Sequence, residues 1–216
     1  MILRILLADD HGIVRRGLKE LLEEHLGWSV CAEAATGREA VEMAIKHRPQ
    51  IAVLDLSMPE LNGLEATRRI RQAVPETEVL VFTMHESEDL VREVLAAGAR
   101  GYLLKSDAAD QLVPAVESLA KHRPFFTGRI SEVVLDGFLK AGGTEGVSPA
   151  IQRLTSRERE IVQLLAEGQS NKQIAKLLDL SVKTVETHRA AVMRKLELDS
   201  LPDLVRFAIR NQIIQP

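Results

Sequence analysis

The sequence predicts two modules of different class: a doubly wound α/β parallel sheet of five βα units, (βα)5, followed by an all-α domain of four helices. Three observations lead there. Over residues 1–121, short apolar runs alternate with segments of helical period. Near-continuous apolar runs mark strands buried on both faces, hence a parallel sheet covered by helices. Over 151–216 the strand signals stop, and capping boxes precede helical stripes. Between the two lies a glycine-rich stretch.

Ile2–Ala8 reads as the first strand and ends in Asp9-Asp10. Val14, Leu18, Leu21 and Leu22 follow at helical spacing. Trp28–Ala34 reads as a strand and Arg38–His47 as a helix. Ile51–Leu54 is a short apolar strand ending at Asp55, and Leu64–Ala73 is helical. Glu78–Phe82 is a strand ending in Thr83, followed by helical Leu90–Ala97. Gly101–Leu104 is a strand ending at Lys105, and Asp110–Ala120 closes the series as a helix. Arg129–Leu139 reads as one short helix, and Ala-Gly-Gly-Thr-Glu-Gly-Val-Ser-Pro at 141–149 as a flexible linker. In the tail, Thr155-Ser-Arg-Glu158 and Ser170-Asn-Lys-Gln173 are capping boxes. They precede Ile161, Leu164 and Leu165 in one case, and Ile174, Leu177 and Leu178 in the other. Ser181 caps a third helix and Ser200 a fourth. The predicted organisation is thus 1–121, a linker with a short helix at 122–149, and 150–216.

Composition narrows the function classes. Hydrophobic residues at 45% and charged residues at 27% exclude wholesale disorder. A lone cysteine, Cys31, excludes an intrachain disulfide and a cysteine-based zinc cluster, and fits a reducing cytoplasm. The first apolar run is too short for a signal peptide, and no stretch approaches the roughly 20 apolar residues of a membrane span. A cytoplasmic protein with no membrane partner is expected. The net charge of −3 divides into −6 over 1–121, 0 over 122–150 and +3 over 151–216. An acidic front and a mildly basic back suggest different partners. A charge of +3 is weak evidence for nucleic acid, so the motif must decide.

Sites in parallel α/β sheets form outside the carboxyl ends of the strands. Asp9, Asp10, Asp55, Thr83 and Lys105 all stand at such ends. Gathered carboxylates repel, and a hard divalent cation such as Mg²⁺ relieves that cost. Lysine supplies a point charge for a phosphoryl group, threonine a hydroxyl donor. A carboxylate is also a nucleophile that forms an aspartyl phosphate. The set reads as phosphoryl acceptance with metal help.

With ILLADDH, VLDLSMPELNGLEA, VFTMH and GARGYLLKS in this order, the chain resembles a bacterial response regulator of the NarL/FixJ type over essentially its whole length. The resemblance implies a flavodoxin-like receiver in which Asp55 is phosphorylated by a sensor histidine kinase. It implies Mg²⁺ held by Asp10, Asp55 and the backbone carbonyl of Ser57, with Asp9 helping through water. Lys105 pairs with the phosphoryl group, Thr83 swings toward it and Tyr102 moves with Thr83; alternatively Tyr102 is simply core. Ser57 and His85 match positions that tune dephosphorylation. Ser106 departs from the family, where many receivers carry proline and a cis peptide. His11 beside Asp10 finds no second histidine at ligand spacing. An aspartyl-phosphate phosphatase needs a second aspartate two residues after the nucleophile. Ser57 stands there, so the protein is read as no enzyme and no catalytic residue is assigned.

The tail LTSREREIVQLLAEGQSNKQIAKLLDLSVKTVETHRAAVMRKLEL resembles the LuxR-type helix-turn-helix domain. A tight turn between two helices lets the second enter the major groove. The supporting helix is Asn171–Leu178, the turn Asp179–Leu180 and the recognition helix Val182–Leu196. Val185, Val192 and Leu196 face inward. Lys172, Lys183, Arg189, Arg194 and Lys195 suit phosphate contacts. Glu186, Thr187 and Ala190 suit base contacts by comparison with the family, and Thr184 and His188 complete the DNA-facing set. Glu186 stands where the family commonly has lysine. Either it accepts from a cytosine amino group, or it pairs with Lys183 or Arg189. His188 either packs at the helix edge or touches a phosphate. Ser200–Asn211, with Leu201, Leu204, Val205 and Ala208 on one stripe, resembles the family's dimerisation helix; alternatively the stripe completes the domain core. The expected partners are a sensor histidine kinase, double-stranded DNA with an inverted repeat, a second copy of the chain and RNA polymerase. The alternative function is a transcription factor that ignores phosphorylation.

Overall fold

The computed structural model describes residues 2–128, 130, 131 and 153–214. These form two units. Most of the predicted short helix at Arg129–Leu139, and all of the glycine-rich stretch at 141–149, lie outside the described residues.

The first unit is a parallel sheet of six strands in the order β2-β1-β3-β4-β5-β6. The strands are β1 (Leu3–Ala8), β2 (Trp28–Ala34), β3 (Ile51–Leu54), β4 (Glu78–Thr83), β5 (Gly101–Leu104) and β6 (Phe125–Phe126). The helices are α1 (Gly12–Glu23), α2 (Gly37–His47), α3 (Gly63–Ala73), α4 (Glu88–Ala96) and α5 (Ala108–Ala120). Alternate strand residues feed two cores. Ile5, Leu7, Val53, Leu80, Phe82 and Leu103 pack against Leu18 and Leu22 of α1 and Leu112, Val116 and Leu119 of α5. Leu6, Ala52, Leu54, Val81 and Tyr102 pack against Ala40 and Ala44 of α2, Ile70 of α3 and Val91 and Val94 of α4. Double burial, rather than intrinsic propensity, holds strands as short as β3.

The helices begin earlier than apolar periodicity suggests. α4 starts at Glu88, ahead of its first buried residue Leu90, and α5 at Ala108, ahead of Leu112, so each apolar stripe begins inside its helix rather than at its first residue. The sixth strand is a departure. β6 pairs parallel with β5 inside the stretch read as linker, with Phe126 against one core and Phe125 against the other. Two residues carry no readable period. No peptide bond is cis among the described residues, Lys105–Ser106 included.

Gly63 decides how α3 meets the end of β3. A Cβ there would lie 2.0 Å from the Asp55 carbonyl oxygen, so any side chain would push the helix off the strand end. Asn62 caps α3 by accepting from the Glu65 N–H at 2.9 Å.

The second unit holds α6 (Ser156–Ala166), α7 (Asn171–Leu177), α8 (Val182–Lys195) and α9 (Leu201–Arg210). Both capping boxes form as read, and Ser181 and Ser200 cap α8 and α9. Leu154, Ile161, Leu164, Ile174, Val185 and Val192 fill the core. Leu204 and Ala208 fill it too, at 0% exposure. Of the stripe read either as dimerising or as core, those two residues pack inside their own unit. Leu201 is exposed and Val205 half-buried.

Candidate phosphoacceptor pocket and DNA-reading helix

The strand order reverses at β1, so the crevice of the sheet opens between the carboxyl ends of β1 and β3. Asp9 follows β1, and Asp55 follows β3. Parallel register aligns Ala8 with Leu54 and Thr83 with Leu104, which brings Lys105 to the same edge. The Lys105 ammonium lies 2.7 Å from Asp9 Oδ2 and 2.9 Å from Asp55 Oδ2. It also stands 5.7 Å from the centre of the Phe82 ring, a cation–π distance. Asp9 and Asp55 are only 1% and 3% exposed. The Leu56 N–H donates to Asp55 Oδ1 at 2.7 Å, and the His11 N–H donates to Asp9 Oδ1 at 2.9 Å. Arg15 holds the Asp9 backbone by donating to its carbonyl at 2.6 Å.

Four residues offer ligand atoms within 4.8 Å of one another: Asp9, Asp10, His11 and Asp55. Two carboxylate charges at that separation repel by about 3–4 kcal/mol at an effective dielectric of about 20. One ammonium shared between Asp9 and Asp55 leaves the pocket with excess negative charge, and oxygen donors of this kind fit a hard divalent cation. His11 joins the group through Nδ1, 2.7 Å from Asp10 Oδ1. Its adjacency to Asp10 was the single signal in the sequence.

Burial pushes the Asp55 carboxyl up from its ordinary value; Lys105 pulls it down without cancelling this, and Asp9 adds to the rise. Burial works against the Lys105 charge, but its bonds to Asp9 and Asp55 outweigh that and raise its pKa. A carboxyl raised in the folded state loses its proton first in the unfolded chain. Stability therefore falls as pH rises from the ordinary aspartate value of about 3.9 through the folded one. Asp55→Asn removes that cost. In buffer free of divalent cations the variant is expected to melt above the wild type at neutral pH, the gap closing in acid. Calorimetry across that range checks it; a variant that melts lower at neutral pH would contradict the assignment.

Beside Asp55, Ser57 Oγ lies 3.3 Å from His85 Nε2, which couples two positions 28 residues apart. The His85 N–H donates to Thr83 Oγ1 at 3.3 Å, and the Tyr102 hydroxyl donates to the His85 carbonyl at 2.8 Å. Thr83 and Tyr102 are fully buried, and burial pushes the Tyr102 hydroxyl's pKa up. Both edges of the His85 backbone are thus held by the two residues read as a moving pair.

On α8, Lys183, Glu186, Thr187, Ala190 and Arg194 line one shallow groove together with Ala191. Lys172 on α7 is exposed, and Arg189 and His188 are half-buried. Thr184 is turned to the helix start: its N–H donates to Ser181 Oγ at 3.0 Å, and the two hydroxyls lie 2.8 Å apart. Glu186 Oε2 lies 3.6 Å from the Lys183 ammonium. Lys195, read as a phosphate contact, has a partner inside its own unit. Its ammonium donates to both oxygens of Glu158 on α6, at 2.8 and 2.7 Å. No local period reveals a partner 37 residues away.

The profile of the response regulator receiver domain matches residues 5–117, and that of the bacterial regulatory proteins of the luxR family matches 152–208. The chain is 37% identical over 217 aligned residues to the oxygen regulatory protein NreC of Staphylococcus epidermidis, covering 99% of this chain and 100% of that one. Among solved structures, a LuxR-family two-component response regulator from Aurantimonas sp. SI85-9A1 superposes with a TM-score of 0.60 at 37% identity, over 64% of this chain and 99% of that one. RcsB in complex with DNA, and as two dimers bound to two parallel DNAs, gives 0.59 at 25% identity over 98% and 99% of the two chains. Among the described residues, no helix is long and apolar enough to cross a membrane. The chain belongs to the two-component response regulators of the NarL type, a receiver joined to a LuxR-family DNA-binding domain, and is a regulator of transcription rather than an enzyme.

Proposed function

We propose that Asp55 is the phosphoacceptor, and that its phosphorylation by a sensor histidine kinase governs dimerisation and sequence-specific DNA binding through α8. One observation carries the reading: a buried carboxylate at the switch point of the sheet, bridged by Lys105 to a second buried carboxylate. A carboxylate oxygen of Asp55 attacks the phosphorus of a kinase phosphohistidine; the N–P bond breaks, the imidazole leaves, and an acyl phosphate forms. Lys105, already beside Asp55 Oδ2, pairs with a phosphoryl oxygen. Receiver domains bind Mg²⁺ at an acidic pocket, and here Asp9, Asp10, Asp55 and the Ser57 carbonyl would hold it. When bound, the ion neutralises the charge that gathers around the phosphoryl group.

Thr83 exchanges the His85 N–H for a phosphoryl oxygen, and the shift reaches Tyr102 through the His85 backbone. The surface of the last two βα units changes with it. Ser57 and His85, in contact beside the acceptor, tune the lifetime of the acyl phosphate. On DNA, Lys172, Lys183, Arg189 and Arg194 meet phosphates, while Glu186, Thr187 and Ala190 face base edges. Exposed Leu201 and half-buried Val205 leave α9 a surface for a two-fold dimer on an inverted repeat, consistent with the RcsB dimers on DNA, and RNA polymerase is the partner downstream.

Intact mass after incubation with a small-molecule phosphodonor and Mg²⁺ tests the acceptor. The wild type is expected to gain one phosphoryl group and Asp55→Asn none. A gain by both chains moves the acceptor elsewhere. A folded wild type that gains nothing, even from a kinase, while binding DNA tightly favours regulation independent of phosphorylation.

A further inference from the structure

We infer that Lys195 is a positioning residue for DNA binding, acting through Glu158, and not a phosphate contact. The inference rests on the reading of α8 as the DNA-reading helix.

The geometry starts from one residue doing two jobs. Glu158 is the third residue of α6 and closes its capping box: its Oε2 accepts from the Thr155 N–H at 2.8 Å, and the Thr155 hydroxyl caps the Glu158 N–H at 3.2 Å. The same carboxylate accepts from the Lys195 ammonium through both oxygens. Lys195 is the last residue of α8. The charge that finishes one helix therefore also fixes the far end of another. Glu158 is buried, which disfavours its charge. Its bonds from Lys195 and Thr155 more than offset this, so its pKa falls below the ordinary carboxylate value.

The neighbouring residue completes the device. Arg157 donates to the Leu178 carbonyl at 2.8 Å, where α7 ends. Carbonyls in the last turn of a helix lack partners within it, and this guanidinium supplies one. Consecutive side chains of α6 thus grip both helices of the helix-turn-helix: Arg157 holds the end of the supporting helix and Glu158 the end of the reading helix. The rest of α8 is held by Val185 and Val192, whose contacts are apolar and non-directional. A charge-assisted contact fixes where the end of α8 sits, where apolar packing alone tolerates drift. Groove residues such as Glu186 and Arg194 reach DNA only if that setting is right.

A phosphate contact and a positioning contact differ in salt dependence. Removing a lysine that meets a phosphate makes the slope of log affinity against log salt shallower by about 0.9. The experiment titrates the full chain, with phosphodonor and Mg²⁺ present, against a labelled duplex selected by the wild type from a random pool. It compares wild type, Lys195→Met, Glu158→Gln, the double variant and Lys195→Arg at several KCl concentrations. The expected result has three parts. Lys195→Met lowers affinity by about tenfold, within the range of couplings between contacting residues. Its salt slope equals that of the wild type, and the double variant binds no worse than the weaker single one. Lys195→Arg, which keeps a charged donor for Glu158, retains most of the affinity and serves if the methionine variant does not fold. A flatter slope with additive losses would make Lys195 a phosphate contact and overturn the inference. So would unchanged affinity in a folded Lys195→Met chain, since the tie would then serve stability alone. Failure of the wild type to select any sequence would instead overturn the reading of α8 itself.

Discussion

Lys105→Met is expected to cost the first unit about 3 kcal/mol of stability at neutral pH without divalent cations. Removing one partner of a buried ion pair typically costs about 3–5 kcal/mol, because the remaining charge is left unpaired in a dry site. Here two nearly inaccessible carboxylates, Asp9 and Asp55, lose the same ammonium. The lower end applies because burial already raises the Asp55 carboxyl, so taking up a proton relieves part of the penalty. The cost should therefore shrink in acid, where Asp55 is neutral. It should also shrink in an Asp55→Asn background, and on adding MgCl₂ if the acidic set takes the ion. Chemical denaturation of the four chains of that cycle measures the coupling. An identical cost in both Asp55 backgrounds would mean that the bridge is electrostatically idle. Opposite signs for Lys105→Met and Asp55→Asn mark a site that holds more charge than stability favours, as expected where binding a cation and an anion is the task.

Exchange of Glu186 for lysine is expected to change the base preferred at one position of the DNA site. A carboxylate accepts from the cytosine amino group, whereas an ammonium donates to guanine, and a well-placed side chain discriminates by about 1–3 kcal/mol. The competing role is the ion pair with Lys183, at 3.6 Å on an exposed helix face. Pairs of that kind are worth about 0.2–1 kcal/mol. The weaker attachment yields to the stronger, so the carboxylate is free to turn to a base when DNA arrives. Its neighbours in the groove, Thr187 and Ala190, are small enough to let it approach. Selection from random duplexes with the wild type and Glu186→Lys reads the outcome directly. Identical preferred sequences would reduce Glu186 to a surface partner of Lys183.

Much of this is legible in the sequence, and the reason is local. The apolar runs that became β1, β3, β4 and β5 each end at a residue of the acidic pocket, so strand periodicity alone placed Asp9, Asp55, Thr83 and Lys105 at one edge. The capping boxes at Thr155 and Ser170 depend on bonds three residues apart, and both formed as read. Sequence by itself thus determined the two modules, the order of the elements and the carboxyl-end constellation, because hydrophobic period and helix caps act within a few residues. Tertiary structure decided the rest. It added β6, whose two residues are strand only because β5 offers an edge. It turned Leu204 and Ala208 into core and left Leu201 and Val205 outside, a choice made by α6 and its neighbours rather than by the stripe. It joined Ser57 to His85, and it paired Lys195 with Glu158. Each of these depends on which distant partner the packing brings within hydrogen-bond reach. A side chain's own neighbours in sequence carry no record of that partner.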